Sequence, residues 1–220
     1  LSLVELMVAL VLGLVLMTGI IQVFLSSRQT YASNEAMARM QENGRFALEF
    51  ISRSARLAGY AEKIYTGGTP LPIVRPSCAG QPGDLPETPP CSENGNESDS
   101  IGFIMRPPII DGARRDCIGN DLDNVSSAKH IDDDDLIINE FSIAQGTLAC
   151  RTYAYDSVTG VGKWTAGPGY QALIDGIDRL QILYGVSTGG DSRSANQYVS
   201  ADRVGNNLSD WQKVRAVRIS

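Results

Sequence analysis

Residues 1–25 read LSLVELMVALVLGLVLMTGIIQVFL, and Glu5 is the one charged side chain in this run. About 20 apolar residues suffice for a helix to cross the hydrocarbon core of a bilayer, so the run is long enough. A secretory signal peptide would carry basic residues ahead of a shorter apolar core, whereas the first basic residue here, Arg28, follows the run. We therefore expect a membrane-inserted helix in a mature chain whose leader has been removed ahead of Leu1.

The helical pattern continues beyond this run, because residues 27–58 contain no proline. Apolar and small residues recur at steps of three and four, which predicts one packing stripe along a helix. Opposite charges at i,i+4 favour an exposed opposite face, and Gly59 is suited to end the helix. A helix of about 58 residues would be roughly 87 Å long. The stripe comprises Met37, Met40, Gly44, Ala47, Ile51, Ala55 and Ala58, and the charge pairs are Glu35 with Arg39, Arg45 with Glu49, and Glu49 with Arg53.

The rest of the chain predicts a β-rich head. Residues 60–99 are rich in proline and glycine and predict a loop, and short β-rich runs separated by turn residues follow. Residues 172–180 (ALIDGIDRL) predict a short helical turn. A helix followed by strands predicts an α+β fold with an antiparallel sheet. The predicted strands are residues 100–105, 135–143, 147–155, 181–186 and 214–219, and the predicted segments are 1–28 (membrane or filament core), 29–59 (helix packed on the head) and 60–220 (head).

The four cysteines, all beyond residue 77, indicate disulfides. An even count in a translocated domain favours disulfides, with three possible pairings. A metal site is less favoured because no Cys-x-x-Cys knuckle is present. Pairing by sequence neighbour is our prediction. It joins Cys78 to Cys91 and Cys117 to Cys150.

Catalytic and ligand-binding motifs are hard to find in this sequence. The net charge of −6 argues against nucleic-acid binding by the head. His130 is the one histidine, which excludes a multi-His metal site within this chain. Asp132, Asp133 and Asp134 are weak candidates for Ca²⁺ because the EF-hand pattern is absent, and a solvated acidic turn is favoured. We therefore predict no enzymatic activity and no cofactor.

Several stretches together resemble known families. The opening LSLVELMVALVLG is similar to the mature N-terminus of type IV pilins and pseudopilins, whose apolar helix carries one glutamate at its fifth place; Leu1 stands where phenylalanine is usual, and Gln22 where proline is common. Four further stretches resemble PilW, a minor pilin of the type IVa pilus, and part of their layout is shared with GspJ, a minor pseudopilin of type II secretion. These stretches are RFALEFISRSARLAGY (45–60), RTYAYDS (151–157), ALIDGIDRLQILYGV (172–186) and WQKVRAVRI (211–219).

The resemblance implies a pilin fold and specific roles for the N-terminus. Glu5 would pair with the α-amino group of Leu1 on a neighbouring subunit and set the axial register. Leu1 would follow the leader-cleavage site and would be N-methylated by the prepilin peptidase. Implied partners are other major and minor pilins through the helix, the inner-membrane assembly platform, and the prepilin peptidase before maturation. The chain would be a single-pass inner-membrane protein with a periplasmic head before assembly, and part of the extracellular pilus afterwards.

The expected function is that of a minor pilin, which helps to prime assembly and sits at or near the filament tip. Adhesion and twitching motility are the associated processes that the resemblance implies. Two alternatives remain open at this point: a minor pseudopilin of type II secretion, and a membrane-anchored adhesin or binding module.

Overall fold

The computed structural model describes residues 2–59, 98–106, 109–122, 137–156, 163–166, 169–189, 194–205 and 208–220. The chain divides into two compact units, Leu1–Glu42 and Asn43–Ser220. The first unit consists of helix, and the second contains the end of that helix and every strand that the structure describes. The predicted segments 1–28, 29–59 and 60–220 stay predictions.

The first element is one long helix, α1 (Leu3–Leu57). As predicted, Gly59 follows it in the left-handed region, with φ 77°. Glycine adopts this conformation without the steric clash of a Cβ atom, and the Gly59 N–H donates to the carbonyl of Ile104 at 2.8 Å. One of the three predicted charge pairs is present, with Arg39 Nη2 2.6 Å from Glu35 Oε1.

The head contains ten strands among the described residues, paired throughout in antiparallel fashion. In the largest sheet the order is β1-β4-β5-β6, with β7 also paired to β5; a second sheet has the order β10-β8-β9, and β2 pairs with β3. The strands are β1 (Ile101–Met105), β2 (Ile109–Ile110), β3 (Ala113–Arg114), β4 (Ile137–Ala144), β5 (Thr147–Asp156), β6 (Lys163–Ala166), β7 (Gln171–Asp175), β8 (Ile182–Val186), β9 (Gln197–Val199) and β10 (Val214–Ile219); short helices α2 (Ala201–Val204) and α3 (Leu208–Trp211) lie between β9 and β10.

This arrangement confirms the predicted α+β, pilin-like fold. The five predicted strands correspond to β1, β4, β5, β8 and β10. The helical turn predicted over residues 172–180 is wrong, because Gln171–Asp175 forms β7 and pairs with β5. The apolar spacing of this short run suits a helix, but backbone hydrogen bonds to β5 fix it as a strand. Gly176, at φ 76°, then ends the strand.

One hydrophobic core joins the end of α1 to both larger sheets. From α1 it receives Ala47 and Ile51, and Ile51 is only 1% exposed. Met37 and Met40 of the predicted stripe belong to the first unit and are 55% and 60% exposed, and the packing of that part of the stripe on the head stays a prediction. Periodicity marks an apolar face but does not say where along the helix a partner lies. From the strands the core receives Ile101, Phe103, Met105, Ile137, Phe141, Leu148, Cys150, Ile182, Tyr184, Val186 and Val214.

Candidate assembly site

The helix α1 begins with two reciprocal hydrogen bonds between Ser2 and Glu5. The backbone N–H of Ser2 donates to Oε2 of Glu5 at 3.2 Å, and the backbone N–H of Glu5 donates to Oγ of Ser2 at 3.3 Å. This Ser-x-x-Glu arrangement is a capping box. The first N–H groups of a helix lack an intrahelical partner, and the box supplies partners locally. The carboxylate of Glu5 therefore stabilises the start of its own helix.

Sequence reasoning identified Glu5 but missed Ser2 as its local partner. The signal was available, since a serine three residues ahead of a glutamate before an apolar run is typical of a helix start. Leu1 lies outside the described residues. The predicted pairing of Glu5 with a neighbour's Leu1, and the methylation of Leu1, therefore stay predictions.

The apolar side chains that follow Glu5 are exposed along the whole N-terminal run. Their exposed fractions range from 52% at Val8 to 72% at Val23. The helix contains an 18-residue window with mean hydropathy 2.6, long and apolar enough to cross a membrane, although a signal sequence passes the same test. A continuous apolar surface of this extent requires a bilayer or other protein around it.

A disulfide joins Cys117 to Cys150, as the neighbour pairing predicted. Cys150 lies in β5 and is fully buried, whereas Cys117 lies in the partly buried loop after β3. The hydroxyl of Thr152 stands beside the bond, 3.2 Å from Sγ of Cys117 and 2.9 Å from Oδ1 of Asn139. The disulfide thus pins this loop to the central sheet. Cys78 and Cys91 lie outside the described residues.

The weak Ca²⁺ candidates Asp132, Asp133 and Asp134 also lie outside the described residues. Among the residues that the structure does describe, no group of three or more His, Cys, Asp or Glu side chains could hold a metal ion. The prediction about these three aspartates therefore stays a prediction.

A cluster of polar and aromatic side chains lies at the largest sheet, with Glu140 and Tyr153 buried and Arg151 and Tyr170 half-buried. Glu140 of β4 stands directly opposite Arg151 of β5, and the guanidinium carbon of Arg151 lies 5.0 Å from the ring centre of Tyr153 and 5.9 Å from that of Tyr170. Burial raises the pKa of Tyr170, and the charge of Glu140 raises it further. A slip of one residue between β4 and β5 would separate the charges of Glu140 and Arg151. We infer that this cluster fixes the register in which β4 pairs with β5.

Residues 136–220 match the family model of type IV pilus-assembly protein W (PilW). The matched segment contains β4 to β10, and therefore most of both larger sheets, but not α1. The match supports a PilW-like protein of the type IV pilus. No curated protein and no solved structure matches the chain, and the resemblance to GspJ stays a prediction.

Proposed function

We propose that this chain is a minor pilin, a structural subunit that helps to prime type IV pilus assembly and sits at or near the filament tip. The observation that carries the proposal is the match of residues 136–220 to the PilW family. It is joined by an N-terminal helix whose apolar side chains are exposed. The partners are other pilins, and before assembly the helix lies in the inner membrane with the head in the periplasm.

The exposed apolar run gives this proposal a physical basis. In a bilayer its side chains contact lipid, and in a filament they contact the helices of other subunits, so the transfer involves little change in hydrophobic free energy. The apolar contacts alone then leave the axial position of one helix against another poorly defined. A buried charge pair defines it, because such a pair contributes specificity more than net stability.

Glu5 is suited to this pairing even while it caps its own helix. The hydrogen bond from Ser2 uses Oε2, and a carboxylate has a second oxygen that can accept another donor. The capping box also holds the side chain against the first turn of the helix. We propose that Glu5 receives the N-terminal amine of a neighbouring subunit in this orientation.

Three variants separate the charge of Glu5 from its capping role. Glu5→Gln keeps the Ser-x-x-Gln capping box but removes the charge. Ser2→Ala keeps the charge and removes the hydroxyl cap, at a cost of about 0.5–2 kcal/mol in helix stability. Glu35→Gln is the control, since Glu35 is an exposed carboxylate of the same helix that pairs with Arg39. Each variant replaces the wild-type gene, and its amount in sheared pili and in the membrane fraction is measured.

We expect Glu5→Gln to remain in the membrane but to disappear from pili. Leaving the partner amine buried without its counter-charge costs about 3–5 kcal/mol, which is at least a hundredfold in incorporation. Ser2→Ala should lose no more than about thirtyfold, and Glu35→Gln should assemble normally. Normal incorporation of Glu5→Gln together with loss of Ser2→Ala would show that Glu5 acts as a cap alone. Absence of the wild-type chain from pili would refute the minor-pilin assignment itself.

A further inference from the structure

A cavity of about 580 Å³ lies at one end of the sheet β10-β8-β9. It forms where β8 and β9 end at the pair Val186–Gln197, and where β10 starts opposite Val186 at Val214. The residues after β8, the helix α2 and the segment from α3 into β10 complete its wall. The polar lining includes Arg203, Lys213, Arg215, Asp210, Ser187 and Gln197, and we call this the cationic cavity.

Hydrogen bonds hold the rim of the cationic cavity in place. The backbone N–H of Thr188 donates to Oδ1 of Asn196 at 3.1 Å, and Nδ2 of Asn196 donates to Oγ1 of Thr188 at 2.8 Å. The N–H of Ser187 donates to the carbonyl of Lys213 at 2.9 Å. These bonds tie the segment after β8 to β9 on one side and to β10 on the other. The walls are therefore largely formed before any ligand arrives, as is usual for small-molecule sites.

Arg215 reaches this cavity because β10 is irregular at that point. Val214 pairs with Val186 and Ala216 pairs with Gly185, so Arg215 is the extra residue of a β-bulge. Bulges redirect side chains and occur often beside functional sites. Among the described residues, the hydrogen bonds of the Arg215 guanidinium use Nη1, which donates to the carbonyls of Gln212 and Val214. The other nitrogens of the guanidinium remain as donors for a ligand.

The charge of the cavity is opposite to that of the whole protein. Within the part of the chain that the structure describes, three cationic side chains and one carboxylate line it, whereas the chain carries a net charge of −6. The carboxylate, Asp210, is engaged by Lys213 at 2.8 Å. Arg203 and Arg215 are thus the cations in excess. Two guanidinium groups beside a cavity are suited to an oxyanion, because each can present paired N–H donors.

We propose that the cationic cavity binds a small polar molecule through a carboxylate or phosphate group, with Arg203 and Arg215 as the residues that contact the oxyanion. Its volume lies within the range of about 300–1,000 Å³ that is usual for small-molecule pockets, and it admits a molecule of the size of a sugar acid or sugar phosphate. Ser187 and Gln197 supply polar contacts to the neutral part. This binding would be a property of the head beyond pilus assembly, and it does not depend on the assembly role.

The test titrates the full-length chain, purified in non-ionic detergent, with defined probes in a calorimeter. Glucose 6-phosphate and glucuronate test the phosphate and carboxylate forms of the ligand, and glucose tests whether the charge is needed. The variants are Arg203→Gln and Arg215→Gln, both at exposed positions, so the fold should survive. Arg218→Gln is the matched control, because Arg218 is exposed on the same strand β10 but does not line the cavity.

We expect saturable binding of at least one anionic probe and none of glucose. Each of Arg203→Gln and Arg215→Gln should weaken it about tenfold, the usual effect of losing one hydrogen bond to a charged group, and Arg218→Gln should leave it unchanged. The two anionic arms decide between phosphate and carboxylate. The proposal fails if neither anion binds saturably, if glucose binds equally well, or if the control variant weakens binding as much as the other two.

Discussion

Removing the Cys117–Cys150 disulfide should destabilise the head substantially. The perturbation is the double variant Cys117→Ala/Cys150→Ala in the full-length chain. Alanine is preferred to serine because Cys150 is fully buried, where an additional hydroxyl would need a partner. The Thr152 hydroxyl keeps Asn139 Oδ1 as an acceptor at 2.9 Å. The loss of the sulfur atoms therefore leaves no hydroxyl without a partner at this position.

The size of the effect follows from the loop that the disulfide closes. The two cysteines are separated by 33 positions, and the chain-entropy relation for a loop of this length gives about 4 kcal/mol at 25 °C. Because the two cysteines are also packed in or against the core, the truncation to alanine removes a small additional amount of apolar contact. We expect the free energy of unfolding of the head to fall by about 3–5 kcal/mol.

Guanidinium unfolding in mild detergent, followed by near-UV circular dichroism, measures this difference. The signal reports packing around the aromatic side chains of the head, which include Tyr184 and Trp211, whose ring centres are 5.1 Å apart. Far-UV spectra without denaturant provide the control that the double variant still folds. A loss below about 1 kcal/mol in a folded variant would show that the segment after β3 that contains Cys117 is held by its packing and that the cross-link contributes little.

Two further predictions concern packing in the head, measured by the same unfolding experiment. Ile51→Ala should destabilise the head by about 2–5 kcal/mol, because Ile51 is 1% exposed; Leu48→Ala, on the exposed side of the same helix, should change it by less than about 0.5 kcal/mol. Gly185→Ala should cost about 1–3 kcal/mol, since a Cβ atom there would lie 2.8 Å from the Cβ of Ala195. Gly44→Ala, with no atom within 4 Å, should instead stabilise the helix by about 0.5–1 kcal/mol. Equal effects within either pair would contradict the packing described.

The sequence predicted the elements whose stabilisation is local or strongly patterned. The helix α1 is recognisable because its hydrogen bonds join residues four apart and its apolar run needs no partner within the chain. The strands β1, β4, β5, β8 and β10 are recognisable because their runs are rich in β-branched and aromatic residues. The capping box of Ser2 and Glu5 is equally local, since the two residues are three positions apart, but only Glu5 was identified from the sequence.

Other features depend on contacts between distant parts of the chain, which the local pattern does not contain. β7 is a strand because β5 supplies its hydrogen-bond partners across a turn, although its own residues suggest a helix. Ala47 and Ile51 of α1 are buried because the sheets of the head supply their packing partners.

The cationic cavity is the clearest case of a feature that depends on contacts between residues distant in sequence. Arg203 and Arg215 are separated by a complete helical turn and the start of a strand, and nothing in their spacing indicates a shared site. They line one cavity because β8, β9 and β10 meet at Val186 and because a bulge places Arg215 there. The long helix, the carboxylate within its apolar run and the main strands follow from patterns among neighbouring residues. Which side chains share a surface depends on strand pairing and bulges, whose partners are remote in sequence.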